Sequence, residues 1–149
     1  MEVNIGFEAG VEQTPSMAQR FDANTYPLGP GVRLLEASAG TGKTFALAHL
    51  CLRLITEADH PLEALLVVTF TDAAAEELRS RIGQRLQQAL QGLEQLDQGM
   101  EASAPDPVLA DWLAGSEPGE ARQRWIRHLL EALEELDRAD ITTIHGFCR

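Results

Sequence analysis

Apolar residues along this chain fall into blocks of different period, and each block ends at glycine, proline or acidic residues. The first clear block, Val32-Arg33-Leu34-Leu35-Glu36-Ala37, follows an approach rich in Pro27, Gly29, Pro30 and Gly31 and predicts a short strand. Thr44 to Thr56 carries Phe45, Leu47, Ala48, Leu50, Leu52, Leu54 and Ile55, which is apolar on too many sides for a surface helix and predicts a buried one. His60-Pro61 breaks that pattern. Leu65-Leu66-Val67-Val68-Thr69-Phe70 is then apolar without alternation, as in a parallel strand covered on both faces.

A second helix is predicted from Asp72, with Asp72, Glu76 and Glu77 suited to the positive helix start and Ile82, Leu86, Ala89, Leu90 and Leu93 at three-four spacing. Gly83 inside it reads as a mild weakness. Residues 97–107 predict a linker, followed by a short helix through Trp112 and a turn at Gly115 to Gly119. A third long helix, about Glu120 to Arg138, presents Trp125, Ile126, Leu129, Leu130, Leu133 and Leu136 as one stripe. Ile141-Thr142-Thr143-Ile144-His145 is a β-branched strand signal, and the sequence stops four residues later, which reads as a truncation. Residues 1–20 show no clear period and are expected to be loosely ordered. Residues 21–149 then form one unit, with a mainly helical segment at about 79–139.

Composition narrows the classes. At 149 residues and 44% apolar the chain can bury one core. A net charge of −11 and a pI near 4.7 argue against binding nucleic acid by bulk attraction, while leaving room for a local groove. Cys51 and Cys148 are far apart with no CxxC, so neither a disulfide framework nor a zinc site is implied, and Cys51 reads as a buried small hydrophobe. The N-terminus lacks a signal-peptide pattern, and no apolar run nears the roughly 20 residues of a membrane helix. The expectation is a cytoplasmic protein with no membrane partner.

Chemistry enters at Lys43, the one lysine among twelve basic side chains. It ends the turn Ala37-Ser38-Ala39-Gly40-Thr41-Gly42-Lys43-Thr44. An ammonium is a compact point charge, whereas a planar guanidinium fits poorly among backbone amides that already cradle phosphate. The strict phosphate-loop pattern has glycine where this chain has Ala37. The context compensates, because an apolar strand leads in and an apolar helix leads out. In that arrangement the loop amides of Ala37 to Thr41, Gly42 and the helix N-terminus converge on nucleotide phosphates. Lys43 would reach the β- and γ-phosphates as the catalytic cation, and the Thr44 hydroxyl would take a Mg²⁺ position. The plainer alternative is a strand-to-helix turn with a solvated lysine.

Three segments carry a family resemblance. Glu36 to Thr44 resembles motif I of UvrD/Rep-like superfamily 1 helicases, Val68-Thr69-Phe70-Thr71-Asp72-Ala73-Ala74-Ala75-Glu76-Glu77-Leu78 resembles motif Ia, and Thr143-Ile144-His145-Gly146-Phe147-Cys148 resembles motif Ic. Within that family the wording is most similar to the beta-subunit branch of exodeoxyribonuclease V. Glu-Ala-Ser-Ala-Gly-Thr-Gly-Lys-Thr, Gly146, the helical spacer and Phe21-Asp22 with Pro27-Leu28 carry this. AddA-type helicase–nucleases are the nearest competitor and more often have serine at the place of Gly146.

The resemblance implies an α/β fold: the N-terminal part of a P-loop NTPase (RecA-like) ATP-binding domain, an incomplete parallel sheet with flanking helices and a mainly helical insertion. It implies ATP and Mg²⁺ as cofactors, and a 3′-to-5′ DNA helicase/exonuclease acting in double-strand-break repair and recombination. Single- and double-stranded DNA and the other subunits of an exodeoxyribonuclease V-type complex would be its partners. Motif Ia would bring Thr69, Phe70 and Thr71 to single-stranded DNA, and motif Ic would bring Thr143, His145 and Phe147. Phe70 and Phe147 equally suit a core, and His145 a half-buried strand end. Arg79, Arg81 and Arg85 fit a DNA path or, more plainly, solvated helix faces.

Other family parts are missing from these residues. No Asp-Glu pair follows the loop, neither Asp72 nor Asp140 has an acidic neighbour, and Gly29, Pro30 and Gly31 occupy the region of the adenine-reading glutamine. The expectation is weak nucleotide binding and negligible hydrolysis by this chain alone. A small phosphate-loop kinase and a non-catalytic truncated remnant are the alternatives.

Overall fold

The computed structural model describes residues 2–4, 19–37, 40 and 42–148. In chain order they form β1 (Glu2–Asn4), β2 (Gln19–Arg20), β3 (Leu34–Glu36), α1 (Lys43–Thr56), β4 (Val67–Thr69), α2 (Asp72–Asp97), α3 (Pro107–Ala114), α4 (Glu120–Glu135), β5 (Ile141–Thr143) and α5 (Ile144–Phe147). Single 3₁₀ turns sit at Leu62–Ala64 and Leu136–Arg138. The chain is α/β with helices predominating.

The core lies where α1, α2 and α4 pack together. Leu52, Ile82, Leu86, Leu93 and Leu129 are fully buried there, each worth ~1.5–3 kcal/mol over an exposed position. The three-four spacing of α2 thus does what its pattern predicts. In the stripe of α4, Leu130 departs from expectation and is exposed, while Trp125, Ile126, Leu133 and Leu136 pack against the core.

Helix starts follow local chemistry. Thr71 caps α2, its hydroxyl accepting from the Ala74 N–H at 3.1 Å, and Asp106 caps α3 by accepting from the Leu109 N–H at 3.0 Å, with Pro107 in the first turn. Gly83 is more than a weak point. A Cβ there would collide with the Leu136 side chain, and one at Gly92 would collide with Leu113. Both glycines let α2 be approached closely by the segments packed on it.

The strands are short. β4 and β5 pair in parallel, with Val67, Val68 and Thr69 opposite Ile141, Thr142 and Thr143. α2 packs on this pair, while Leu66 and Val68 remain exposed, so the unbroken apolar run is not covered on both faces as its sequence suggests. β1 pairs antiparallel with both β2 and β3. Among the described residues the parallel pairing therefore does not include the strand before the glycine-rich turn. β3 pairs instead with β1, Glu36, Leu35 and Leu34 lying opposite Glu2, Val3 and Asn4. Likewise the strand predicted for Ile141 to His145 stops at Thr143, whose hydroxyl accepts the Gly146 N–H at 3.0 Å and starts α5.

Candidate nucleotide and DNA site

The glycine-rich turn joins β3 to α1. Gly40 (φ 77°) and Gly42 (φ 88°) both have left-handed backbone, and a Cβ on either would meet no neighbour among the described residues. The left-handed conformation by itself calls for glycine at both positions. Lys43 is the first residue of α1, and its ammonium donates to the Ala37 carbonyl at 3.0 Å across the turn. Thr44 follows, half-buried, and the first turn of α1 carries no acidic residue, so nothing in it offsets the positive helix end. Ala37, Gly40, Gly42, Lys43 and Thr44 are thus placed around one turn; Ser38, Ala39 and Thr41 lie outside the described residues. Among the described residues no group of three His, Cys, Asp or Glu side chains could hold a metal ion.

Two hollows of about 460 Å³ flank the start of α1, and Phe45 lines both. One lies between α1 and α2 and includes Thr44, Glu77, Arg81 and Arg85. The other is bounded by Phe21, Ala23, Gly42, Ala46 and Val108. The Arg85 guanidinium sits over the Phe45 ring, 4.7 Å from its centre.

A buried polar chain lies beneath. Arg85 donates to His49 Nδ1 from Nε at 3.0 Å and from a terminal nitrogen at 2.8 Å, and also pairs with Asp106. Arginine has no acceptor, so Nδ1 is unprotonated and the proton sits on Nε2, which donates to Asn24 Oδ1 at 2.7 Å. Asn24 in turn donates to the Val108 carbonyl at 2.9 Å. Burial, then the Arg85 and Arg53 charges, lower the His49 pKa to about 4. Partial burial opposes ionisation of Asp106, but its bonds from Arg85 and the Leu109 N–H, with the Arg85 charge, hold it below the usual carboxylate range. The sequence pattern shows none of this, and its one hint is a histidine inside an apolar helix.

Arg85 is therefore neither a DNA-path residue nor a solvated helix charge. Arg79 also corrects both readings. Its guanidinium donates to the carbonyls of Leu136, Ala139 and Ile141, tying α2 to the entry of β5. Arg81 alone of the three is exposed, near Glu77.

The parallel pairing of β4 and β5 brings the ends of two motifs together. Thr69 lies opposite Thr143, so the residues that follow each emerge from one edge. Phe70 is 85% exposed and Phe147 61%, which removes the core reading for both. His145 is exposed on α5 rather than half-buried on a strand. Thr71 is exposed and Thr69 half-buried, whereas Thr143 is buried with its hydroxyl oxygen committed to the Gly146 N–H.

Comparison with known proteins agrees with these motifs. The model of the UvrD/REP helicase N-terminal domain matches residues 19–149. The chain is 41% identical over 115 residues to the RecBCD enzyme subunit RecB of Mycobacterium tuberculosis, covering 77% of this chain and 10% of that protein. It is 38% identical over 141 residues to the protein of the same name from Escherichia coli K12, covering 89% of this chain and 11% of that one. To an ATP-dependent helicase/nuclease subunit of Clostridium perfringens it is 38% identical over 117 residues, covering 77% and 7%. The chain thus spans about a tenth of the length of these relatives. With the match covering the glycine-rich turn, β4 and β5 alike, the chain belongs to the UvrD/REP helicase N-terminal domain family.

Proposed function

We propose that this chain is the ATP-binding portion of a RecB-type DNA motor, which couples ATP hydrolysis to 3′-to-5′ movement on DNA with exonuclease action during double-strand-break repair and recombination. The observation that carries the reading is the turn itself. Two left-handed glycines place Lys43 at the unneutralised start of a buried helix. In this reading the fold is an incomplete RecA-like P-loop domain. The amides of Ala37 to Gly42 and Lys43 hold the phosphates of ATP, and Thr44 holds Mg²⁺. Single-stranded DNA runs over Thr69, Phe70, Thr71, Thr143, His145 and Phe147, with the exposed aromatic rings available for base stacking. The remaining subunits of a RecBCD-type complex are its protein partners, and the cytoplasm is where it works. The names of the three relatives, subunits of a RecBCD enzyme and of an ATP-dependent helicase/nuclease, support the helicase, nuclease and complex assignments.

Two binding measurements test this. Lys43→Ala should abolish Mg²⁺-ATP binding by the chain, and an unchanged affinity would sink the nucleotide site. Phe70→Ala and His145→Ala should each weaken single-stranded DNA, the first by ~1–3 kcal/mol as for base–aromatic stacking. Unchanged DNA affinity in both variants would leave a nucleotide-binding fold without the DNA path. Hydrolysis by the chain alone should be negligible, because among its 149 residues no adjacent Asp-Glu pair exists to align metal and water.

A further inference from the structure

We infer that Arg79 is a positioning residue for the single-stranded DNA edge: it holds β5, and through β5 His145 and Phe147, in line with Phe70 and Thr71. The inference rests on the DNA-path reading of those residues, since it concerns what brings them to one line.

The pairing that joins the two segments is slight. β4 and β5 are three residues each, they pair in parallel, and no third strand joins them among the described residues. Parallel pairing is slightly less stable per residue than antiparallel, and a lone pair of strands is marginal in water. The two strands also lie far apart in the chain, so chain entropy opposes their meeting. Their register calls for another fastener.

Arg79 has the donors for it. It lies about two turns along α2 from Thr71, the cap of that helix. Its guanidinium donates to the Leu136 carbonyl at 2.6 Å, to the Ala139 carbonyl at 3.3 Å from each of two nitrogens, and to the Ile141 carbonyl at 3.1 Å. Leu136 belongs to the 3₁₀ turn that ends α4, where carbonyls carry partial negative charge and favour a cation. Ile141 opens β5, and the carbonyl just before it, that of Asp140, accepts from the Val67 N–H of β4 at 2.9 Å. The entry of β5 is thus gripped by β4 at Asp140 and by α2 at Ala139 and Ile141. Glu76 is exposed and 4.0 Å away, so it is the carbonyls that hold the guanidinium, whose planar fork suits several acceptors at once.

From β5 this clasp passes to the side chains at the edge. The Thr143 hydroxyl accepts the Gly146 N–H at 3.0 Å, and a Cβ on Gly146 would collide with the Thr142 hydroxyl. The short helix carrying His145 and Phe147 is therefore seated on β5 and goes where β5 goes. Phe70 follows β4 directly and precedes the Thr71 cap, so its place does not depend on Arg79.

Anisotropy of a fluorescent oligothymidylate titrated with the 149-residue chain tests the inference. Phe70→Ala and Phe147→Ala should each weaken the parent about tenfold, within the range of one lost base stack. Arg79→Met keeps an apolar stem and removes every donor, and should by itself cost about tenfold. In that background Phe147→Ala should cost nothing further, while Phe70→Ala still costs about tenfold. Arg79→Lys, with charge and donors but no fork, should fall between parent and Arg79→Met. Parental affinity in Arg79→Met, or an undiminished Phe147 contribution in it, overturns the clasp. Loss of both phenylalanine contributions together also overturns it, since that marks a merely structural residue. Should Arg79→Met not fold, Arg79→Lys carries the same comparison, and an undiminished Phe147 contribution there overturns the clasp. The parent separates the two levels of the argument. If neither phenylalanine variant weakens binding in it, the DNA path fails and the clasp with it. If Phe70→Ala alone does, the path stands on β4 and only the clasp fails.

Discussion

Acid should weaken this fold through one buried imidazole. His49 is fully buried, and Arg85 donates into its Nδ1 while its Nε2–H serves Asn24, so a second proton has no place to go. Its pKa falls to about 4 in the folded chain, against 6.5 for a free side chain. Between those values the unfolded chain binds the proton and the folded chain does not. The stabilisation is therefore complete above pH 6.5, falls steadily as pH drops below 6.5, and is fully lost by about pH 4. Over the whole window this amounts to roughly 3 kcal/mol, and from pH 8 to pH 5 to about 2 kcal/mol. For a chain of this length that is a fall in Tm of about 4–8 °C. Urea unfolding followed by tryptophan fluorescence is a suitable assay, since Trp112 and Trp125 stack with centres 5.0 Å apart in the core. Glutamine at this position can accept from Arg85 and donate to Asn24 without titrating. His49→Gln should therefore lose about 2 kcal/mol less than the parent chain between pH 8 and pH 5. Asp106 does not confuse that window, because its carboxyl is held below the usual range and its own loss comes at lower pH. Equal losses in parent and variant would refute a buried neutral His49.

Asp106→Ala should cost about 3–5 kcal/mol in the same unfolding assay at pH 8, because it strands the buried Arg85 charge and removes the α3 cap together. Asp106→Asn keeps the cap and should recover about 1 kcal/mol of that. Gly92→Ala should destabilise by ~1–3 kcal/mol through overpacking, because the new methyl meets several atoms of Leu113, itself only 2% exposed. Gly83→Ala should be nearly neutral, since it meets the end of the half-buried Leu136, which can turn aside, and alanine gains helix propensity of about 1 kcal/mol. A thiol reagent under native conditions should modify exposed Cys148 and spare Cys51, whose burial raises its pKa to about 11; equal labelling of the two by mass spectrometry would contradict the core assignment.

Much of the helical layer was legible because its signal is local. The spacing of Ile82, Leu86, Ala89 and Leu93 states which face of α2 is buried, and Thr71 and Asp106 announce where helices begin. The glycine-rich turn was legible for a similar reason, since Gly40 and Gly42 take a conformation that disfavours a Cβ. Long-range facts were not. Nothing in the run Leu65 to Phe70 says that one face of β4 meets α2 while Val68 stays open. Nor does any spacing rule join His49 to Arg85 across 36 residues, or fold Arg79 onto carbonyls 57 to 62 residues away. Those partners are set by where α1, α2 and the segment before β5 come to rest, so a basic residue read from α2 alone looks solvated. For Phe70 and Phe147 the sequence leaves core and surface equally open. Only the pairing of β4 with β5 turns both outward at one edge.

The choice of lysine at position 43 gains a second reason from the turn's geometry. Its ammonium holds the Ala37 carbonyl, six residues back, and so closes the turn before any phosphate arrives. An ammonium has three donors, and one bond to a carbonyl leaves two for an anion. Phosphate binding can then add to the existing contact without first breaking it, and the entropy of ordering a long side chain is already spent in the closed turn. A guanidinium anchored to the same carbonyl would point its fork as a rigid plane, fixing the direction of its remaining donors by that one bond. The point charge can turn about its bond and meet phosphate oxygens wherever the amides of the turn set them. The same side chain thus both shapes the loop and answers the ligand, which explains why a chain with eleven arginines has its single ammonium here.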